Sequence, residues 1–124
     1  MKRSVCAGWA LSLCWLPTLS GLAAQPAAQA EITGLIDALD SSGCRFERNG
    51  KWYDATEARV HLQRKYDWLR KRDLAATPEQ FISRAASNSS VSGRPYHVQC
   101  PGAPAQPSAD WFKRQLEQLR ASPK

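Results

Sequence analysis

Apolar residues recur along this chain with the period of amphipathic helices. The first stripe predicts a helix over about 31–41, and its members share one helical face: Ile32, Leu35, Ile36 and Leu39. The second stripe predicts a helix over about 55–71 that begins at an Asp54 cap, and it consists of Ala58, Leu62, Tyr66 and Leu69. Gly43 can take the left-handed conformation that ends the first helix.

Two further helices are predicted from the residues that open them. Thr77 is placed to cap a helix with Pro78 at its first position, and four residues form its apolar side: Phe81, Ile82, Ala85 and Ala86. Ser108 is placed to cap a last helix, with an apolar side of Phe112, Leu116 and Leu119. The Pro-, Gly- and Ala-rich segment 101–107 is predicted to be a loop.

Residues 44–48 and 96–100 alternate between apolar and polar positions, as strands do, and Lys51-Trp52-Tyr53 can form a return strand. Asn49-Gly50 is a strong two-residue hairpin turn, so the segments on either side of it are predicted to pair. These elements together predict an α+β fold of about four helices with a small two- or three-stranded antiparallel sheet.

The amino terminus has the pattern of a secretory signal peptide. Lys2-Arg3 precedes an apolar run over residues 5–16, and small residues follow it. Ala28-Gln29-Ala30 offers the preferred cleavage site and Ala24 an alternative one, which makes 1–30 the signal peptide and 31–124 a single small domain. The apolar run is shorter than the roughly 20 residues of a spanning helix. The stretch 23–30 is expected to be a leader end or a mobile linker.

Cleavage changes the charge balance and the expected partners. Loss of Lys2 and Arg3 leaves 15 basic and 11 acidic residues, a net charge of +4. We expect this mildly basic domain in the periplasm, with no transmembrane segment after cleavage. An envelope protein or an anionic envelope component is then a more suitable partner than nucleic acid.

Cys44 and Cys100 are the cysteines that remain after cleavage. In an oxidising compartment they are expected to form a disulfide. A metal site that uses both thiols is the competing interpretation, but no C-x-x-C spacing supports it. No metal site is predicted, and no cofactor motif is present.

His61 has Glu57 four residues before it and Lys65 four residues after it. A carboxylate beside an imidazole orients a general base, but the same spacing gives weak charge pairs on an exposed helix. The structural interpretation is favoured because the helix supplies no nucleophile. A metal site could in principle be formed by Glu57, His61 and His97. No H-x-x-x-H or H-E-x-x-H motif supports it.

Polar groups concentrate in the segment 88–96, which joins the third helix to the third strand. Five of its residues could form a nest for a carboxylate, phosphate or sulfate: Ser89, Ser90, Ser92, Arg94 and Tyr96. The alternative is a loop whose serines satisfy its own backbone. A serine nucleophile assisted by His61 or His97 is a further hypothesis, although no G-x-S-x-G motif surrounds these serines.

Cations alternate with aromatic residues over 64–72, at the end of the second helix. Basic residues suit the negative end of the helix dipole, which is the favoured explanation. The alternative hypothesis is that these residues form a contact surface for an anionic partner, in which Trp68 supplies apolar area. Such binding weakens as salt concentration rises.

Several motifs occur in a characteristic order: Ser42-Gly43-Cys44, Phe46, Arg48-Asn49-Gly50, Glu57-Ala58, His61-Leu62, Lys65-Tyr66, Phe81-Ile82, Ser89-Ser90, Ser92-Gly93, Pro95-Tyr96 and Cys100. This order resembles the YfeK-like family of small exported bacterial proteins, a domain of unknown function, over about residues 31–120. The resemblance implies a Gram-negative envelope protein and no particular reaction. It also marks His61, Lys65, the 89–96 segment and the two cysteines as parts of a shared pattern.

The sequence thus favours a small binding or accessory module over an enzyme. Its expected contact surface combines Arg94 and the Ser89–Ser92 segment with His61 and Lys65 on the second helix. Two alternatives stay open: a small serine–histidine hydrolase, and an envelope stress or assembly factor that holds another protein.

Overall fold

The structure is a computed structural model that describes residues 20–122, with side chains from residue 27 onward. Its helices are α1 (Ser20–Ser41), α2 (Ala55–Arg70), α3 (Pro78–Phe81) and α4 (Ser108–Ala121), and α3 continues into a π-helical turn, Ile82–Ala86. Its strands are β1 (Arg45–Arg48), β2 (Lys51–Tyr53), β3 (His97–Gln99) and β4 (Gln106–Pro107). The predicted α+β class is confirmed.

The four strands form one antiparallel sheet in the order β2-β1-β3-β4. Asn49 and Gly50 make the hairpin turn with φ values of 53° and 82°, as a turn with two left-handed central residues requires. The sheet has one strand more than predicted. Gln106–Pro107 supplies it from the segment predicted to be a loop, because a two-residue strand that ends in proline has no alternation to detect.

Both predicted apolar stripes lie in the core between the helices and the sheet. Every member of each stripe is buried: Ile32, Leu35, Ile36 and Leu39 on α1, and Ala58, Leu62, Tyr66 and Leu69 on α2. The four apolar residues predicted for the third helix are buried as well. The caps predicted for α2 and α3 are also present, since Asp54 accepts from the Glu57 amide at 2.8 Å and Thr77 from the Gln80 amide at 3.1 Å.

The linker prediction for residues 23–30 is wrong, because α1 extends from Ser20 to Ser41. Alanine has the highest helix propensity and five of these eight residues are alanine, so the stretch continues the helix. Ala28 and Gln29 line a small cavity of about 110 Å³ together with Tyr66 and Arg70 of α2. Residues 1–19 of the predicted signal peptide lie outside the described residues.

The last helix differs from its prediction at both ends. Pro107 occupies the cap position, and Ser108 is the first helical residue, with a fully buried side chain. Leu119 is 39% exposed instead of buried. It lies over Gly34 of α1, where an added Cβ would be 3.2 Å from the Leu119 side chain.

The predicted disulfide between Cys44 and Cys100 is present. It joins the residue before β1 to the residue after β3, and the two strands pair between Arg45 and Gln99. The bridge therefore holds together the two central strands of the sheet: β1, which ends in Arg48, and β3, which directly follows Tyr96.

Candidate functional site

His61 lies where α2 packs against the hairpin of β1 and β2. Arg48, the last residue of β1, places its Nη1 atom 2.6 Å from His61 Nδ1 and 3.1 Å from Nε2. A guanidinium group can only donate, so the nearer nitrogen, Nδ1, accepts and Nε2 carries the ring proton. The His61 Nε2 atom faces the Tyr96 hydroxyl at 3.4 Å.

The Tyr96 hydroxyl also anchors Lys65, one helical turn beyond His61. Lys65 Nζ donates to this hydroxyl at 3.1 Å and to the carbonyl of Asn88 at 3.2 Å. The Tyr96 side chain is 1% exposed, and its ring packs 5.0 Å from the ring of Phe46. The buried Tyr96 hydroxyl therefore holds the Lys65 amine by a hydrogen bond and lies next to the His61 ring.

The electrostatics of these residues disfavour added positive charge. Burial, the charges of Arg48 and Lys65, and a smaller effect of Arg64 lower the pKa of His61 from 6.5 to about 4. Burial and the Arg48 charge lower the pKa of Lys65 from 10.5 to about 8. Near neutral pH the imidazole is thus neutral, while Arg48 and most of the Lys65 population stay positive.

The ion pairs of the described chain lie elsewhere. Within residues 20–122, ion pairs use the acidic residues Glu31, Asp40, Glu47, Asp67 and Glu79, and none of these pairs includes Arg48, Arg64 or Lys65. Glu57, the carboxylate predicted beside His61, is exposed and makes no hydrogen bond to the imidazole in this part of the chain. His61 therefore has a cation, and not a carboxylate, as its nearest charged partner.

Two clefts lie on either side of His61, and both are lined by His61 and Arg64. The first, which we call the hairpin cleft, has a volume of about 460 Å³ and lies between the hairpin and α2; its wall also includes Arg48, Lys51, Tyr53 and Glu57. The second, the Trp68 cleft, has a volume of about 370 Å³; its wall also includes Lys65, Trp68, Leu69, Arg84 and Ser90. The basic residues of both clefts thus form one continuous surface.

The serine segment is tied to the hairpin turn. The buried Ser89 hydroxyl accepts from the side-chain amide of Asn49 at 3.2 Å and from the backbone amides of Val91 and Ser92 at 3.3 and 3.2 Å. The Ser92 hydroxyl donates to Asn49 Oδ1 at 2.5 Å. The amides that would form an anion nest are therefore already bonded to Ser89, which favours the interpretation of a self-satisfied loop.

The structure brings part of the predicted surface together. His61, Lys65 and Ser90 line the Trp68 cleft, with Tyr96 beneath them. Arg94 is exposed and lines neither cleft. Between residues 20 and 122 no hydrogen bond joins a serine to a histidine, so the geometry gives the hydrolase hypothesis no support.

His97 lies apart from His61. Its Nδ1 atom is 2.9 Å from Glu47 Oε2 on the neighbouring strand. Within the part of the chain that the structure describes, no group of three or more His, Cys, Asp or Glu residues is arranged to hold a metal ion. In the same part, no helix is long and apolar enough to cross a membrane.

Sequence reasoning missed Arg48, Lys51, Tyr53 and Arg84 as members of this site. The first three flank the Asn49-Gly50 turn, so their closeness to one another could be read from the hairpin. Their closeness to His61 depends on how the hairpin packs on α2, and Arg84 reaches the Trp68 cleft through the packing of the π-helical turn. No local signal in the sequence predicts either contact.

Comparison with known proteins places these features in a wider group. The profile of a family of unknown function, DUF5329, matches residues 26–120. The uncharacterized protein YfeK of Salmonella typhimurium is 40% identical over 97 residues, which cover 77% of each chain. No solved structure matches. The expected resemblance to YfeK-like proteins is confirmed.

Proposed function

This chain belongs to the DUF5329 family, whose function is unknown, and we propose that it is an exported module that binds an anionic ligand. The binding groups are Arg48, His61 and Lys65, held over the Tyr96 hydroxyl; we call these four residues the cation cluster. A carboxylate, phosphate or sulfate group is the ligand chemistry that fits them.

One observation carries this proposal: Arg48 donates to a neutral imidazole, Lys65 donates to the neutral oxygens of Tyr96 and Asn88, and neither cation pairs with a carboxylate in the described chain. Burial and, to a smaller extent, the charge of Arg48 disfavour the charged form of Lys65 and lower its pKa. Arg48 lines the hairpin cleft, Lys65 lines the Trp68 cleft and His61 lines both, so an anion held at His61 would accept hydrogen bonds from the two cations. Charge-assisted bonds of this kind are stronger than neutral ones.

Export is part of the proposal, and two features support it. The amino-terminal pattern is that of a signal peptide, and a disulfide joins the two cysteines that cleavage would leave. The packing of Ala28 and Gln29 beside α2, together with a family match that starts at residue 26, favours the alternative cut after Ala24 over the cut after Ala30. The mass of the protein recovered from the periplasm tests this choice of site.

Titration calorimetry with sodium sulfate at pH 7 tests the binding function. Sulfate keeps its charge over the whole working pH range, and sodium chloride of equal ionic strength serves as the reference ligand. Arg48→Gln and Lys65→Gln should each weaken sulfate binding about tenfold, because each removes one charge-assisted contact. Arg114→Gln is the matched control, since Arg114 is an exposed residue of α4 that lines neither cleft.

Two results would contradict the proposal. The first is an absence of sulfate binding beyond that of chloride. The second is an equal loss of affinity in all three variants, because non-specific attraction to a basic surface depends on the net charge and not on the position of each cation.

A further inference from the structure

The Trp68 cleft combines an exposed aromatic ring with a mainly apolar wall. Trp68 is 53% exposed, although tryptophan side chains are usually well buried. Leu69 and the side chains of Arg64, Lys65 and Arg84 complete most of the wall, and most of the accessible surface there is carbon. Long basic side chains cover such a wall with their methylene stems while their charged ends stay in water.

The stacking of Arg72 on Trp68 keeps the indole in place. The Arg72 guanidinium carbon lies 3.9 Å from the ring centre, and its Nη1 atom donates to the Trp68 carbonyl at 2.9 Å. These contacts cover one face of the ring, and more than half of the side chain is still accessible. The cleft therefore has a positioned apolar surface.

The charges at the mouth of this cleft all have one sign. Arg64, Lys65 and Arg84 line it, and none of the three takes part in an ion pair within residues 20–122. Arg84 Nη1 donates instead to the carbonyl of Leu74 at 2.6 Å, and Lys65 donates to neutral oxygens. An anionic group at the mouth would thus meet several cations that no carboxylate neutralises.

We propose that the Trp68 cleft takes the apolar part of an anionic amphiphile whose head group lies against Arg64, Lys65 and Arg84. This inference rests on the proposed anion-binding function, since the Trp68 cleft shares His61 and Lys65 with the cation cluster, and it names the ligand class. A wholly polar anion would use the cations and leave the apolar wall in water. A neutral apolar molecule would use the wall and leave the cations without a partner.

A matched set of three ligands tests the ligand class on the exported protein: n-octyl sulfate below its critical micelle concentration, inorganic sulfate, and n-octyl glucoside. We expect octyl sulfate to bind at least tenfold more tightly than inorganic sulfate, since removing two or more methylene groups from water already supplies that factor. Octyl glucoside, with the same chain and no charge, should bind at least tenfold more weakly than octyl sulfate.

Two variants locate the chain in the cleft. Trp68→Ser should weaken octyl sulfate binding about tenfold and change inorganic sulfate binding less than twofold. Leu119→Ser is the control, because Leu119 is a partly exposed apolar residue of α4 that lines neither cleft; it should leave both affinities unchanged. Circular dichroism spectra verify that each variant is folded.

The outcomes separate this inference from the proposed function. If inorganic sulfate binds as expected but octyl sulfate binds no more tightly, or if Trp68→Ser weakens both ligands equally, the amphiphile site is wrong and the anion site stands. If neither sulfate nor octyl sulfate binds, both proposals fail. Octyl glucoside that binds as tightly as octyl sulfate also overturns the inference, since the charge then has no role.

Vesicles distinguish a bilayer lipid from a free amphiphile as the source of this chemistry. Sedimentation with phosphatidylglycerol vesicles, compared with phosphatidylcholine vesicles, measures how strongly the protein binds to an anionic lipid bilayer. Trp68-dependent binding to the anionic vesicles supports the site and assigns it to a membrane surface. Octyl sulfate binding without vesicle binding supports the site and assigns it to a free amphiphile.

Discussion

Arg48 donates a hydrogen bond to His61 across 2.6 Å, so the nearest partner of this imidazole is a permanent cation. A guanidinium group stays protonated at every physiological pH. The contact therefore keeps Nδ1 of His61 unprotonated and holds the Arg48 charge at the edge of the hairpin cleft. Several properties of the protein follow from this pair and from the buried Tyr96 beneath it.

His61 should make the folded protein less stable in mild acid. The pKa of His61 is about 4 in the folded chain and near 6.5 when unfolded, so the unfolded state binds more protons between these values. The free energy of unfolding then falls as the pH falls from 6.5 to 4. Urea unfolding at pH 7 and pH 4.5 measures this loss, and His61→Gln should show a smaller one. If both proteins lose the same free energy of unfolding between pH 7 and pH 4.5, His61 does not cause the loss.

Tyr96→Phe should weaken sulfate binding several-fold, because the hydroxyl that anchors Lys65 is lost. The stability should fall by about 1 kcal/mol, as expected for one hydrogen bond. Tyr66→Phe is the control, since the Tyr66 hydroxyl is buried without a hydrogen-bond partner among the described residues. Calorimetric titration of both variants compares them. Unchanged sulfate affinity in Tyr96→Phe would mean that Tyr96 does not position Lys65.

Ser89→Ala and Ser90→Ala should behave differently although the two residues are neighbours. The Ser89 hydroxyl accepts three hydrogen bonds in a buried position, and its loss leaves the Val91 and Ser92 amides without that acceptor. We expect the free energy of unfolding to fall by about 1–3 kcal/mol. Ser90 is exposed, so its variant should stay within about 0.5 kcal/mol of the parent in the same urea titration. Similar losses in both would contradict the structural role of Ser89.

Replacement of Cys44 and Cys100 by alanine should remove much of the stability of the domain. The bridge joins residues 56 apart in sequence, and a loop of that length corresponds to about 4 kcal/mol in the chain-entropy model. Thermal unfolding of the double variant and of the reduced parent protein measures the loss. If both unfold at the temperature of the oxidised parent, the bridge does not stabilise the fold.

Local signals in the sequence account for most of the fold. The i, i+3, i+4 stripes of α1 and α2, the Thr77 and Asp54 caps and the Asn49-Gly50 turn all depend on residues within one or two turns of each other. The amino-terminal extension of α1 and the strand Gln106–Pro107 escaped prediction for different reasons. The first has a composition that also suits a leader, and the second is held in place by its partner strand.

The candidate site was predictable only in part. His61, Lys65 and Trp68 lie on one helix, and their spacing places them on one side of it. Arg48 joins them because the hairpin packs on α2, and Tyr96 joins them because β3 pairs with β1. These are contacts between residues 13 and 35 positions apart, which helical or strand periodicity does not report.

The pKa of Lys65, measured by NMR titration of its side-chain amine with and without saturating sulfate, tests the cation cluster most directly. In the free protein we expect a pKa of about 8, lowered by burial and by Arg48. A sulfate ion bound between the two cations should raise it toward 10.5, so sulfate affinity should fall as the pH rises through 8. The same Lys65 pKa with and without sulfate would contradict anion binding at this cluster.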